Sequence, residues 1–516
     1  MPTTIERQSV ALPLDVASAT ELSKSFLVPL GSRSYSKQYA QLYDYRLAYL
    51  KKRILPRAKS RWVDNFDSFS QSQSQPLSQL DTSDADAGPS SANSRVRMQD
   101  PPKLVDRILD VRQGDICYVV GNVYCAMPLK PDVLEDLTRE QWLAPQPVRS
   151  KFVDFAKDEL FIEDQSGRVK LVGDAILGGT ALRSMLITGV VAAVLGTETR
   201  AGDFDVVDAV FASLPPAPPS KSLTKTENGT TSKRETASED QWVVLMSGLA
   251  LGGDSALESE LSMQLLVEYL TGELGEDADR VSSANIVAAV IAGNSLAPPT
   301  RNEEEDKPKR YGQDQPTYSS APTLALDQLL TDLCSSMPVH LLPGERDPAS
   351  VAVPQQPIHF ALLPRSGRFD SLQRHTNPAW IPLGERKLLC TSGQNIDDIF
   401  KYVDETDEAR VEMAMRTLEW GHVAPTAPDT LWCYPFKSSD PFVLKHRPDI
   451  MVVGNQPAYA SAVYNFDDDE GEDTQKEEQG TGCRVVLVPE FARTKEVVLV
   501  NLSSLETKLV CIETPL

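Results

Sequence analysis

Glu345, Arg346 and Asp347 are the residues whose types and spacing come nearest to a chemical site in this chain. They follow a short apolar run and a glycine in "VHLLPGERDP", residues 339–348. Two carboxylates one residue apart are hard-cation ligands by type. A guanidinium between them repels a divalent ion and is better placed to neutralise them or to anchor a turn. Histidine occurs five times, as His340, His359, His375, His422 and His446, and no pair has the His-x-His or His-x-x-x-His spacing of a metal site. These histidines read as packing or surface residues. There is no Walker A loop and no Gly-x-Ser-x-Gly elbow, and "GLALGGD" lacks the Rossmann spacing. "TSGQNIDDIF" (391–400) reads as a helix start, but Asp397 and Asp398 in its first turn oppose an anion there.

The elements that must position such residues are buried strands. "WVVLM" (242–246), "ANIVAAVIAG" (284–293) and "VHLLPG" (339–344) are near-continuous apolar runs. Helical patterns lie between them, at Leu257, Leu261 and Leu265, then Leu326, Leu329, Leu330 and Leu333. Buried strands alternating with helices predict an α/β domain, with functional groups in the loops just beyond the strand ends. Here those loops are "SGLALGG", "GNSL" and "PGERD", and "VVGNQP" follows a further buried strand. A two-metal phosphoesterase on such a scaffold carries Asp-x-His, Gly-Asp, Gly-Asn-His-Asp/Glu and Gly-His-x-His in that order, because two bound ions need several hard or imidazole ligands. In the same order this chain has Gly248 and Ala250, then Asn294, then Glu345, Arg346 and Asp347, then Asn455 and Pro457. The expectation is a degenerate site with no catalytic residues, no bound metal and no cofactor. Gly344 is expected to need a positive φ.

Acidic residues outnumber basic ones 73 to 51, a formal charge of −22, which argues against a primary nucleic-acid binder and points to protein partners. No run of about 18 apolar residues is present, so no membrane span is expected. The first residues have neither the basic start nor the apolar core of a secretory signal, and seven scattered cysteines form no Cys-x-x-Cys pair. Reduced thiols inside a cell are the expectation.

Residues 64–100, 215–240 and 467–480 are polar, Ser/Pro-rich or acidic stretches that cannot bury enough apolar surface to order, and read as linkers or insertions. Before the first, Tyr39, Leu42, Tyr43, Leu47, Leu50 and Ile54 fall on one helical face, with Lys51, Lys52 and Arg53 near its end as a helix-dipole partner or an import signal. Residues 101–213 read as a small β domain: "GDICYVVGNVY", a hairpin over 159–174 turning at "DQSG", then "SMLITGVVAAVLG" and "FDVVDAVF". An OB-fold is one candidate for such a set of short strands, with oligonucleotide or protein binding both open.

Taken together, "LLPGERDPASVAVPQQPIH" (341–359), "TSGQNIDDIF", "HVAPTAPDTLWCYPF" (422–436), "DPFVLKHRPDIMVVGNQPAY" (440–459) and "VVLVPEFARTKEVVLVNLSSL" (485–505) resemble the small regulatory subunits of eukaryotic DNA polymerase delta. "YSKQYAQLYDYRLAYL" and "SGLALGG" extend the resemblance toward the N-terminus. It implies α/β plus all-β architecture, an OB-fold barrel joined to an inactivated calcineurin-like phosphoesterase α/β domain. The implied division is a helical segment 1–63, linker 64–100, OB-fold domain 101–214, linker 215–240 and phosphoesterase-like domain 241–516 with the acidic insertion 467–480. It also implies a non-catalytic scaffold in the nucleus, serving replication and repair synthesis. Its partners would be the cysteine-rich C-terminal domain of the catalytic subunit and a further accessory subunit, with DNA touched only weakly or indirectly. The alternatives are a residual metal-dependent phosphodiesterase or nuclease, and the B-subunit of another replicative polymerase. Partner-binding residues are not assigned by these motifs.

Overall fold

The computed structural model describes residues 7, 9, 16–36, 38–74, 100–131, 149–215, 240–253, 256–275, 277–298, 319–465 and 482–512. Near the N-terminus lie helices α1 (Val16–Ser23) and α2 (Ala40–Lys59). The apolar stripe of α2 is buried at Leu42, Leu47, Leu50 and Ile54 as its spacing predicts, whereas Tyr39, expected on the same face, is 40% exposed and Tyr43 is half-buried. The chain then passes through a π turn at Ser60–Asp64 into α3 (Phe66–Ser74), and Trp62 and Phe69 join the core beneath α2. The start of the expected linker 64–100 is therefore helical, because two aromatic side chains find apolar cover there. Residues 75–99, 216–239 and 466–481, which hold the rest of the three polar stretches, lie outside the described residues.

Strands β1 (Lys103–Leu104), β2 (Ile116–Ala126), β3 (Glu159–Glu163), β4 (Arg168–Val172), β5 (Val191–Glu198) and β6 (Phe204–Phe211) form one sheet. Its pairings run β2–β3–β4–β6–β5 and return to β2, with only two residue pairs joining β4 to β6. This is the strand order of a partly open five-stranded Greek-key barrel. The long β2 serves both neighbours, pairing β5 over Ile116–Asn122 and β3 over Asn122–Ala126. At the changeover a Cβ on Gly121 would lie 2.7 Å from the Glu163 carbonyl oxygen, so only glycine fits. The predicted strand over 184–196 begins later, at Val191. Gly189 interrupts it with φ of 84°, and residues Ala181–Met185 are helical.

The remaining strands form two sheets. One orders β10 (Leu372–Arg374), β9 (Val339–Leu342), β8 (Ile286–Ala292), β7 (Trp242–Met246), β16 (Glu496–Asn501) and β17 (Thr507–Cys511). The other orders β11 (Ala379–Leu383), β12 (Arg386–Thr391), β13 (Ile450–Gln456), β15 (Cys483–Pro489) and β14 (Ala460–Tyr464). Val243 and Leu245 of β7 share one core with Leu388, Val452 and Val486 of the facing sheet. The alternate residues Val244 and Met246 pack with Met263, Leu266 and Leu330 of the helices Ala256–Thr271 and Ala321–Cys334. Both faces of β7, β8 and β9 are covered, which is why these runs are apolar throughout. Leu326, Leu329, Leu330 and Leu333 are buried as expected. In Ala256–Thr271 the buried stripe is instead Met263, Leu266 and Leu270, and Leu261 is 50% exposed. Leu265 is partly buried against the same core. No helix among the described residues is long and apolar enough to cross a membrane.

A fully buried guanidinium joins these parts. Arg46 of α2 donates to Asp440 Oδ2 (2.8 Å), to the carbonyls of Gly189 (2.9 Å) and Pro425 (2.8 Å), and to that of Ala427 (2.8 Å). His422 accepts the Ala424 N–H at Nδ1, so its Nε2–H donates to Asp440 at 2.9 Å. Burial opposes ionisation of Asp440, but the His422 ring and Arg46 outweigh it and hold the carboxyl well below its usual range. Burial, followed by the Arg46 charge, lowers His422 to about 4. His340 and His375, 3.0 Å apart between Nδ1 and Nε2, are lowered by burial to about 3 and about 4.

Arg46→Met should destabilise the chain by about 3–5 kcal/mol by stranding Asp440, and Arg46→Met with Asp440→Leu should recover much of that loss. Urea unfolding of both variants measures it. The three lowered histidines set a pH dependence. The unfolded chain takes up their protons near the ordinary value of 6.5 while the folded chain resists until about 4. Their stabilising contribution is complete above that window and is lost as pH falls through it, by up to about 1.4 kcal/mol per histidine per pH unit. Tm should fall from pH 7 to 5 with proton uptake on unfolding, and a constant Tm would contradict this.

Candidate functional site

The loops that follow β7, β8, β9, β12, β13 and β15 meet at one end of the two sheets. The loops after β7 and β8 zip together through backbone bonds from Gly248 to Gly293 (3.0 Å), Ala250 to Asn294 (3.2 Å) and Leu251 to Ser295 (2.9 Å). To run in this way the chain adopts positive φ at Gly248 (60°), Ala250 (48°), Asn294 (53°) and Asn455 (56°). Glycine and asparagine tolerate that region, whereas alanine there carries a cost of about 1–2 kcal/mol. Four of the eight candidate positions thus share a backbone conformation that is rare outside glycine.

The polar side chains of the cluster bond to the backbone of their own and neighbouring loops. Asn455 Nδ2 donates to the carbonyls of Ala292 (3.1 Å) and Ser392 (2.9 Å), and its N–H donates to Ser247 Oγ (2.8 Å). Asn294 Oδ1 accepts the Arg346 N–H at 3.1 Å. Asp347 is buried and accepts the N–H groups of Leu296 (3.0 Å) and Gly344 (2.8 Å). Burial raises its pKa, partly offset by those backbone bonds. Arg346 faces Glu490 at 3.9 Å, both partly exposed, a contact of about 1 kcal/mol or less. Glu345 is exposed, and its charge helps to raise the pKa of Asp397, after burial has done most of it. Pro457 offers its carbonyl to Arg493. Glu345 and Asp347 therefore do not share a ligand position: one faces outward and the other is committed to backbone donors. Among the described residues no group of three or more His, Cys, Asp or Glu is placed to hold a metal.

Gly344 differs from expectation. It is not among the positive-φ residues; a Cβ there would lie 2.3 Å from Asn294 N and 2.4 Å from Asn294 Oδ1. Close approach, not φ, requires glycine. Gly454 is similar, with 2.3 Å to the Ala292 carbonyl.

Sequence reading missed the polar residues that brace this cluster. Ser247 Oγ donates to the carbonyl of Pro489 (3.0 Å). Asn377 Nδ2 donates to Ser392 Oγ (2.6 Å) and Gln355 Oε1 (2.8 Å), and Gln355 Nε2 donates to the Gly344 carbonyl (3.0 Å). The stretches "TSGQN" and "PQQP" that hold Ser392 and Gln355 stand out only through the family resemblance.

Residues 38–209 match the family model described as DNA polymerase delta subunit OB-fold domain, and residues 243–461 match that of the B subunit of DNA polymerase alpha/epsilon. The chain is 36% identical to the DNA polymerase delta small subunit of Arabidopsis thaliana over 78% of this chain and 83% of that one. It is 29% identical to the DNA polymerase delta small subunit of Saccharomyces cerevisiae, over 95% and 92% of the two chains. With the DNA polymerase delta subunit 2 of Drosophila melanogaster it shares 30% identity over 94% and 96%.

Gly344→Val should cost more than about 2 kcal/mol through overpacking against Asn294. Asp347→Ala should cost about 2–4 kcal/mol by stranding two buried N–H groups. Thermal unfolding of each variant checks both.

Proposed function

The chain belongs to the family of DNA polymerase delta small subunits, and from that premise we propose that it is a non-catalytic scaffold of the polymerase whose α/β domain is a degenerate phosphoesterase. The observation that carries this reading is the strand-end cluster. Every position at which a metal ligand would stand is a glycine, an alanine, a proline, an amide bonded to neighbouring backbone, an Arg facing Glu490, an outward Glu345 or a carboxylate capping its own loop. The two sheets packed face to face between helices are the kind of frame such an enzyme uses, with its loops at the strand ends. A residual metal-dependent phosphodiesterase or nuclease has little to work with here, since Asp347 is spent on N–H groups and Arg346 adds positive charge.

As a scaffold, the chain would hold the cysteine-rich C-terminal domain of the catalytic subunit and a further accessory subunit, in the nucleus. The relatives named for delta favour that polymerase over another replicative one. The proposed division of the chain keeps the boundaries given above, with the first segment extended to Ser74. The basic residues Lys51 and Arg53 donate to the carbonyls of Asp106 and Leu444, which supports a structural role over an import signal.

Co-expression with the catalytic subunit should yield a stable complex that requires that subunit's C-terminal domain; failure to copurify would remove the scaffold reading. The purified chain should cleave no phosphodiester with manganese, and Ala250→His with Arg346→His should not create turnover. Metal-dependent cleavage abolished by Asp347→Ala would favour the enzyme instead.

A further inference from the structure

We propose that the surface formed by the exposed Lys52 of α2 and Lys445, beside the half-buried Tyr45 and Tyr49, is a contact site for the phosphodiester backbone of a nucleic acid. The site is distinct from the strand-end cluster and does not depend on what that cluster binds. A chain of net charge −22 repels DNA as a whole, so any phosphate contact must come from a local reversal of charge. Positions 45, 49 and 52 lie four and seven residues apart and share one helical face, on which the tyrosines are half-buried, Tyr49 against the core that holds Leu50 and Ile54, and Lys52 is exposed.

On that face the Tyr45 and Tyr49 rings are stacked, with centroids 6.3 Å apart and planes 18° apart. Lys445 reaches over them from the loop before β13, its Nζ 5.6 Å and 5.7 Å from the two centroids and 3.4 Å from the Tyr45 hydroxyl. The aromatic pair fixes a lysine that stays exposed, so less side-chain entropy remains to be lost when an anion arrives. Lys52 is exposed on the next turn, and neither lysine pairs with a carboxylate among the described residues. The axial step from the tyrosine pair to Lys52 is about 7 Å, the scale of successive phosphates along one strand.

Behind the face, Arg53 donates through Nη1 to the Leu444 carbonyl (2.8 Å), while its buried Nε and Nη2 have no partner. Arg57 and Arg447 add to the positive field there. Of the nearby acids, Asp449 is offset by Arg386 at 3.5 Å, while Asp44 accepts only a neutral amide from Gln165 at 3.3 Å, so the positive field comes from the excess of Lys52, Lys445, Arg53, Arg57 and Arg447 over the acids around them. Two exposed lysines, one of them held in place by aromatic rings, suit the evenly spaced phosphates of a nucleic-acid strand.

The test is fluorescence anisotropy of the full chain with a labelled oligonucleotide, as single strand and as duplex, between about 50 and 200 mM salt. Lys52→Glu with Lys445→Glu should weaken binding about tenfold and reduce the salt slope by one to two ion equivalents, roughly one for each phosphate left without its lysine. Lys508→Glu on β17 should leave both unchanged, and the thermal stability of the double variant should match that of the parent chain. A larger loss for single strand than for duplex in Tyr45→Ala with Tyr49→Ala would assign the contact to single strands; equal loss would assign it to the backbone of either. Unchanged affinity and slope in the double lysine variant would overturn the proposal. So would labelled polyglutamate that binds the parent chain as tightly as DNA and is lost equally in that variant.

Discussion

The interaction on which the rest of the architecture depends is the buried Arg46 guanidinium. Its partners are 143, 379, 381 and 394 residues away in the chain, on both sides of the boundary between the small barrel and the α/β domain. A charge taken out of water is costly unless all its donors are met. Arg46 can be satisfied only when α2, the Gly189 turn and the 422–440 loops are all in place. The requirement reaches into the backbone: a Cβ on Gly189 would fall 1.9 Å from the Pro425 carbonyl and 2.7 Å from Arg46 Nη1. One helix therefore fixes the relative placement of the two domains.

The strand-end cluster shows the same economy on a smaller scale. The left-handed conformations at Ala250, Asn294 and Asn455 persist because neighbouring loops hold them through backbone bonds. The Asn294 and Asn455 amides act as brackets between loops. What is left outward is Glu345 with a weakly held Arg346 and Glu490, a surface with exposed charge and little internal demand for it.

Much of the fold is legible in residue type and spacing alone. The runs at 242–246, 286–292 and 339–342 are strands because both faces are covered, and the aliphatic part of the α2 stripe is buried as spaced. The loops holding Gly248, Asn294, Asp347 and Asn455 meet because each follows a strand of the same two-sheet frame. Other features carry no local signal. Arg46 reads as one more charge on an amphipathic helix. His340 and His375 meet only because β9 and β10 are parallel neighbours. Of the expected leucine stripe, Leu261 is half exposed while Leu265 packs partly on the core, since i, i+4 spacing alone leaves the direction of burial open.

The sequence by itself determined the family and most element types, and that no histidine stands in the strand-end loops, because these depend on residue identity and short-range period. Only the tertiary structure decided which polar groups are buried together, why Gly344 must be glycine and which lysines remain free on α2. Those outcomes rest on contacts between residues far apart in the chain, whose distances no local pattern contains.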